Sequence, residues 1–559
     1  MDHAIICGES GLKESYGIAI DVGTSGLRAQ AIDLNTDEII STAITLRHPL
    51  PGANVMDHLH FAVEVGLNTA HSLIIDTINR LLSKLDIDLN KVERVAVSGN
   101  PTQLSIFQNI EIRDLAYWGK HALERRSVKP PSRNAVIVDA GELGLKLRGD
   151  AQVYIPPAIR HEVGADALAM LVEAKVLDKE ETAVVIDFGT NAEIALCADG
   201  EIYTASAAAG PAIEGQRIEK GMLASPGAIC DVNTKLTSYR WENLVLDNEL
   251  FAQKGDVVNP TSGEIKETGM MHGKAIGITG TGVIAIISEG IEGDIIARYK
   301  INTPDRRIHV QGGLYLTEKD VEEAGKALGA FRAGVLSVFE EARISLEDLE
   351  STYMAGASGF YVDAYKSIKV GQIPANSTKI YQIGNTSLAM AREIVSKPEM
   401  LDYLQEVANQ IRGRHIMLAT SKAFEQIYPL ELAHWQEGMP LWQYDGWLRK
   451  YGYQGLPERS HNPQVHRLFA RDIPTLGVKG LRIVRDIGVT LTGEFAECTG
   501  CATCETECPE KALVVETVNG QTRIIIKSEL CLGIACLRCQ RACPNHAFKF
   551  SELLHKLRY

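Results

Sequence analysis

The stretch Gly17-Ile-Ala-Ile-Asp-Val-Gly-Thr-Ser-Gly-Leu-Arg28 returns later in the chain as Val184-Val-Ile-Asp-Phe-Gly-Thr-Asn-Ala-Glu-Ile-Ala195. Each copy is a short continuous apolar run, an aspartate, a glycine turn and a second run, Ala29-Gln-Ala-Ile-Asp33 after the first and Ala192-Glu-Ile-Ala-Leu196 in the second. Short apolar runs bounded by turn residues read as buried strands, so each copy is a strand-turn-strand unit. A repeat of a whole supersecondary unit implies two similar halves, and the class is α/β.

The residue types suit phosphate chemistry. Gly23 and Gly189 let the main chain approach a phosphate and offer N–H groups, and Thr24, Ser25, Thr190 and Asn191 add side-chain donors. Asp21 and Asp187 are placed to hold Mg2+ through water, because that ion keeps most of its hydration shell. A single Asp-x-Gly-Thr is also what an ordinary hairpin turn uses, and the repetition sets this pair apart. Further on, Tyr353-Met-Ala-Gly-Ala-Ser-Gly-Phe-Tyr361 predicts a strand over 352–355 running through Gly356 and Gly359 into a helix. Such a turn admits a nucleoside at a helix start, and close helix-strand packing explains the glycines equally well.

Of eleven cysteines, Cys7, Cys197 and Cys230 are scattered and each lacks a nearby ligand partner, while eight fall between Cys498 and Cys543. The first set, Cys498, Cys501, Cys504 and Cys508 followed by Pro509, has the spacing C-x2-C-x2-C-x3-C-P of bacterial ferredoxins. The second, Cys531, Cys536, Cys539 and Cys543 followed by Pro544, replaces the first C-x2-C by C-x4-C, a longer loop around Gly533. By the ferredoxin rule the fourth cysteine of each set crosses over. One [4Fe-4S] cluster then takes Cys498, Cys501, Cys504 and Cys543, and the other takes Cys531, Cys536, Cys539 and Cys508. The competing reading is a pair of zinc sites, which favour separated C-x2-C pairs. Between the sets, 512–516 and 523–527 read as strands of a hairpin around Asn519-Gly520.

The order Asp21-x-Gly-Thr, Asp187-x-Gly-Thr, Gly356-x-x-Gly resembles the actin, sugar kinase and Hsp70-type ATPase superfamily over roughly 15–395. Within it, Ala209-Gly-Pro-Ala-Ile-Glu-Gly215, Leu316-Thr-Glu-Lys-Asp320 and Ile383-Gly-Asn385 resemble the reductive activators of corrinoid proteins. Most of that group carry an N-terminal [2Fe-2S] domain; here Cys7 stands alone and the clusters are placed at the other end. The resemblance implies duplicated actin-like (ribonuclease H-like) ATPase lobes, a linker and an α+β bacterial-type ferredoxin domain. It implies ATP, Mg2+ and two [4Fe-4S] clusters as cofactors. The implied task is ATP-dependent return of Co(II) to Co(I) in a corrinoid protein of a methylamine methyltransferase system in methanogenesis, with electrons from a low-potential donor. Alternatives are an ATP-gated donor to another acceptor, as in dehydratase activators, an electron carrier that binds nucleotide without turnover, or a kinase with a regulatory cluster. Gly356 and Gly359 would serve the nucleoside, and Glu193 and Glu214 would either orient water or, as such residues more often are, be plain surface carboxylates.

The expected divisions are 1–180 and 181–395 for the lobes, 396–490 for an aromatic-rich connecting region and 491–559 for the ferredoxin module. Trp435, Trp442, Trp447 and several tyrosines suggest a small satellite core, and Pro457, Pro463 and Pro474 suggest an extended connector on which the ferredoxin swings. A net charge of −14 without a basic run argues against nucleic acid. Asp2, Glu9 and Glu14 stand where a signal peptide needs a basic flank and an apolar run, and no apolar stretch is long enough to span a membrane, so a cytoplasmic protein is expected.

Overall fold

The two copies of the repeat become the central strands of two sheets. The computed structural model describes residues 14–550 apart from 53, 118, 190, 211, 213, 214, 216, 298, 299, 470, 486, 509, 519 and 520. Tyr16–Val22 runs antiparallel to Leu27–Asp33, which pairs with Ile39–Thr45, and on its other side it is parallel to Val92–Gly99. Ala183–Phe188 repeats the plan, antiparallel to Ala192–Ala198, which pairs with Glu201–Ala207, and parallel to Ser351–Ala355. Consecutive residues Ile18, Ala19 and Ile20, and likewise Val184, Val185 and Ile186, have no exposed surface. Both faces of each central strand are therefore covered, as the unbroken apolar runs require.

The sequence halves do not coincide with the packed lobes. Thr386–Ser396 follows a strand of the second sheet, Lys379–Gly384, yet it packs on the first sheet, with Leu388, Met390, Ile394 and Val395 in that core. Gly17 permits this, since a Cβ there would lie 2.2 Å from Val395 Cγ1. Met400–Ile411 joins the same core through Leu404, Val407 and Ala408, so the division expected at 395 falls inside a packed unit.

The aromatic region is a satellite core on the second lobe. Lys422–Glu437 lies along the 25-residue helix Glu318–Ala342, where Gly325 and Gly329 leave room for Trp435 and Glu431. Trp435 and Tyr444 are fully buried. Glu431 accepts two guanidinium hydrogen bonds from Arg332, each 2.7 Å, and one from the Tyr444 hydroxyl at 2.6 Å. The Leu316-Thr-Glu-Lys-Asp320 motif starts this long helix as a capping box between Thr317 and Asp320.

Beyond it the chain is not a free tether. Gln464–Arg467 adds a parallel strand to the edge of the second sheet beside Lys379–Gly384, and Leu481–Val484 adds one to the first sheet beside Ile39–Thr45. Between them Asp472 accepts from Asn385 N, and Thr475 and Leu476 accept from the Gln30 and Thr42 side chains. The expected swinging connector is thus a strap stitched to both lobes, because its exposed proline-rich look conceals two strands whose partners are distant in sequence.

The cysteine tail forms a three-stranded sheet in which Gln521–Lys527 lies between Thr490–Glu494 and Leu513–Val518. Leu513–Val518 and Gln521–Lys527 pair as the predicted hairpin arms, with 519 and 520 outside the described residues. The module packs on the first lobe. Leu491, Phe495, Ile524, Ile526 and Phe548 belong to that lobe's core. Ser528 Oγ donates to Pro49 O at 2.8 Å, Gly52 N donates to Cys531 O at 2.8 Å, and Arg47 pairs with Glu510. Gly533, in the longer C-x4-C loop, rests directly on Gly52: a Cβ on Gly533 would lie 2.9 Å from Gly52 Cα. The longer loop by which the second cysteine set departs from the first therefore adds one close contact, Gly533 on Gly52, to this docking surface. Arg538 reaches across to Ile218 O of the second lobe at 3.3 Å. Among the described residues no helix is long and apolar enough to cross a membrane.

Candidate functional site: a carboxylate-lined cleft and two thiol shells

The ends of the two central strands face one another across a cavity of about 140 Å³. Asp21, Gly23, Thr24 and Ser25 line it from the first hairpin, and Asp187, Gly189, Asn191 and Glu193 from the second. Glu193 stands opposite Asp187 in the hairpin register, which turns a surface-looking residue into a buried one. Thr190 and Glu214 lie outside the described residues. Gly356 also lines the cavity and needs to be glycine, since a Cβ would sit 2.2 Å from Asp187 Oδ1. Gly359 is a correction: it lines neither this cavity nor the next, and packs against the Phe188 ring, so helix-strand packing accounts for it.

Sequence reasoning missed four residues here. Asp166, at the start of helix Ala165–Glu173, adds a fourth carboxylate. Arg28 bonds to Asp21 at 3.2 Å, and Asn385 Nδ2 donates to the same Oδ2 at 2.8 Å. Asn100, the cap of helix Pro101–Phe107, donates to Thr24 Oγ1 at 3.1 Å. The Asn100-Pro101 and Gly384-Asn385 pairs carry helix-start signals that could have flagged two of them. Asp166, between two alanines, had no such signal.

Burial followed by mutual repulsion raises these acids. Burial, then Asp166 and Asp21, lifts Asp187 to about 7. Asp166 rises to about 6, mainly by burial, and Glu193 rises well above the usual range by burial beside Asp166 and Asp187. Asp21 is raised by burial and partly relieved by Arg28 and Asn385. Arg28 is the one cation among the described lining residues. A cluster of four acids facing one guanidinium fits a hydrated divalent cation, which would restore their ionised forms.

A second cavity of about 390 Å³ continues from the first, sharing Ser25, Arg28, Ala357 and Ser358. Its far wall comprises Phe251, the N-terminus of helix Gly280–Glu292, and Arg467, Arg471 and Ile473 of the strap. Together the cavities form an elongated cleft, polar and acidic at one end and largely apolar at the other.

In the tail, Cys498, Cys501, Cys504 and Cys543 line one small enclosed space with Val515, Ile524 and Phe548. Burial first, and then the neighbouring Cys498 and Cys543, push the Cys504 thiol up to about 11. Cys531, Cys536 and Cys539 are each raised by burial first and then by neighbouring thiols that include Cys508. Ala512 N donates to Cys508 Sγ at 3.2 Å and Gly533 N to Cys531 Sγ at 3.4 Å. Two shells of four thiols, wrapped by apolar side chains and touched by amide N–H groups, fit two [4Fe-4S] clusters.

Comparison with known proteins bears on the whole chain. Residues 16–179 match the model of the RACo middle region, and 181–444 match that of the C-terminal domain of RACo, the ASKHA domain. The chain is 48% identical over 520 residues, 93% of its length and 95% of the relative's, to a "[Co(II) methylated amine-specific corrinoid protein] reductase" of Methanosarcina barkeri. It is 25% identical over 447 residues to the "Corrinoid activation enzyme RamQ" of Eubacterium limosum, covering 74% of this chain and 70% of that one. A solved "Reductive activator for corrinoid,iron-sulfur protein" superposes with a TM-score of 0.60 at 21% identity, over 77% of this chain and 68% of its own, a likeness of fold.

Proposed function

The chain belongs to the reductive activators of corrinoid proteins, the family of RACo, and from that membership we propose that it is an ATP-dependent iron–sulfur reductase. Its substrate is the Co(II) form of a corrinoid protein in a methylamine methyltransferase system, which it returns to Co(I). The observation that carries the reading is the docking of the cysteine module, which carries two four-thiol shells, on the lobe that bears the first Asp-x-Gly-Thr hairpin.

In this reading Gly23, Thr24, Ser25, Gly189 and Asn191 hold the phosphates, Asp21 and Asp187 hold Mg2+ through water, and Gly356 admits the nucleotide past Asp187. Glu193, which is buried, and the half-buried Asp166 would orient the water that attacks the terminal phosphate. The apolar cavity receives the nucleoside. When bound, the two [4Fe-4S] clusters would supply single electrons at low potential. The eight thiolates hold and insulate them, and the strap ties lobe closure to the module.

ATP matters only if it favours one arrangement of the lobes over another. An uphill gap of ~180 mV for one electron corresponds to ~4 kcal/mol, within what one bound and hydrolysed nucleotide supplies. The test is anaerobic: the cobalt spectrum of the corrinoid protein is followed with a low-potential reductant, the purified chain and Mg-ATP. Co(I) is expected to accumulate only when chain and ATP are both present. Equal accumulation without ATP would overturn the proposal.

A further inference from the structure

The thiol shell that holds Cys531 is joined to the first hairpin by a continuous line of hydrogen bonds, buried along its middle. Asn100 Nδ2 donates to Thr24 Oγ1 at 3.1 Å, and Gln103 N donates to Asn100 Oδ1 at 3.0 Å. Gln103 Nε2 donates to His58 Nδ1 at 2.6 Å, and His58 Nε2 donates to Gly52 O at 3.2 Å. Gly52 N then donates to Cys531 O at 2.8 Å. One tautomer of His58, with the proton on Nε2, satisfies both of its contacts. His48 stacks on it with ring centroids 4.0 Å apart, and Leu50 N donates to His48 Nδ1.

Gln103 and His58 have no exposed surface, so water has no access to replace a broken link. Gly52 is wedged between Asp57, whose Cβ would lie 2.2 Å from a Cβ on Gly52, and Gly533 of the ligand loop. Displacement of Thr24 as it engages a phosphate therefore has few ways to dissipate before it reaches Cys531. The other shell has no such connection: Cys501 is exposed, and the Cys498-to-Cys504 run makes none of the module's described hydrogen bonds to the first lobe.

We propose, resting on the functional reading above, that Asn100, Gln103, His58 and Gly52 are positioning residues that transmit occupancy of the phosphate hairpin to the cluster held by Cys531. Nucleotide binding then alters that inner cluster and leaves the outer one, on Cys498, Cys501, Cys504 and Cys543, as it was. Close packing supports such transmission, since a rigid contact chain moves as a unit.

The experiment is a redox titration of the full chain with both clusters in place, followed by electron paramagnetic resonance, with and without Mg2+ and a non-hydrolysable ATP analogue. A Cys508→Ala variant identifies the inner signal by its loss. Nucleotide should change the oxidised-to-reduced ratio of the inner cluster at fixed potential by about tenfold, equal to ~59 mV, and that of the outer cluster by less than about twofold. Gln103→Met, with clusters and nucleotide affinity retained, should lose the inner shift. Equal shifts, no shift with nucleotide bound, or a full shift in Gln103→Met would overturn the inference and leave the functional reading standing. Absence of nucleotide binding or of clusters would defeat the functional reading itself. Should Gln103→Met fail to fold, hydrogen exchange of 48–58 in the wild type decides: slowing on nucleotide binding is expected, and unchanged exchange overturns the relay.

Discussion

The molecule contains two duplications that end in opposite ways. The Asp-x-Gly-Thr hairpins at Asp21 and Asp187 converge on one cavity, which both copies line. The cysteine sets are the more alike in sequence, yet they come to lie in unequal surroundings, one with an exposed thiol and one against the first lobe. Repetition thus specifies what each unit can bind, while its neighbours decide whether two copies share a task or divide it.

Convergence predicts the largest effect. Asp21→Asn and Asp187→Asn should each lower ATP turnover by on the order of 10²-fold or more, because neither hairpin forms the site alone. Steady-state hydrolysis measures this, and a variant that keeps most of its turnover would break the picture of one shared site. Division predicts a smaller and separable loss. Cys508→Ala should remove the cluster of Cys531, Cys536 and Cys539, leaving about half of the iron, and Cys543→Ala should remove the other. Iron analysis with the resonance spectrum distinguishes them, and loss of the Cys498 cluster in Cys508→Ala would refute the crossed pattern.

The smallest effect sharpens the inequality of the two sets. Gly533 and Gly500 both have left-handed backbones, with φ of 61° and 73°. Gly533→Ala also drives a methyl against the backbone of Gly52, whereas at Gly500 the nearest atoms are the Thr517 and Thr522 hydroxyls. We expect a cost of ~1 kcal/mol at Gly500 and ~2–3 kcal/mol at Gly533, read from thermal unfolding of the loaded protein. Equal costs would mean that the ligand loop does not bear on the lobe.

The carboxylates show how far the sequence could be read. Asp21 and Asp187 were visible because a repeat displays itself in one dimension. Glu193 was visible only as a weak candidate, since its burial depends on pairing opposite Asp187. Asp166 was invisible, because nothing local distinguishes an acid at a helix start that faces a cleft from one that faces water. Gly359 misled for the converse reason: helix packing and nucleoside binding ask for the same small residue.

The connecting region misled more fully. Its prolines suited a tether, and local pattern carries no record of the edge strands that Gln464–Arg467 and Leu481–Val484 would find far away in the chain.

By itself the sequence displayed the residues on which the proposed chemistry rests: a doubled Asp-x-Gly-Thr hairpin, eight thiols in ferredoxin spacing, and the order in which they occur. Those features depend on residue type and short spacing, which local geometry enforces. Only the tertiary structure decided that the strap is fixed to both lobes, that the C-x4-C loop meets Gly52, and that Thr24 is joined to Cys531 through buried side chains. Such contacts arise between segments distant in the chain, where packing and the exclusion of water select the partners.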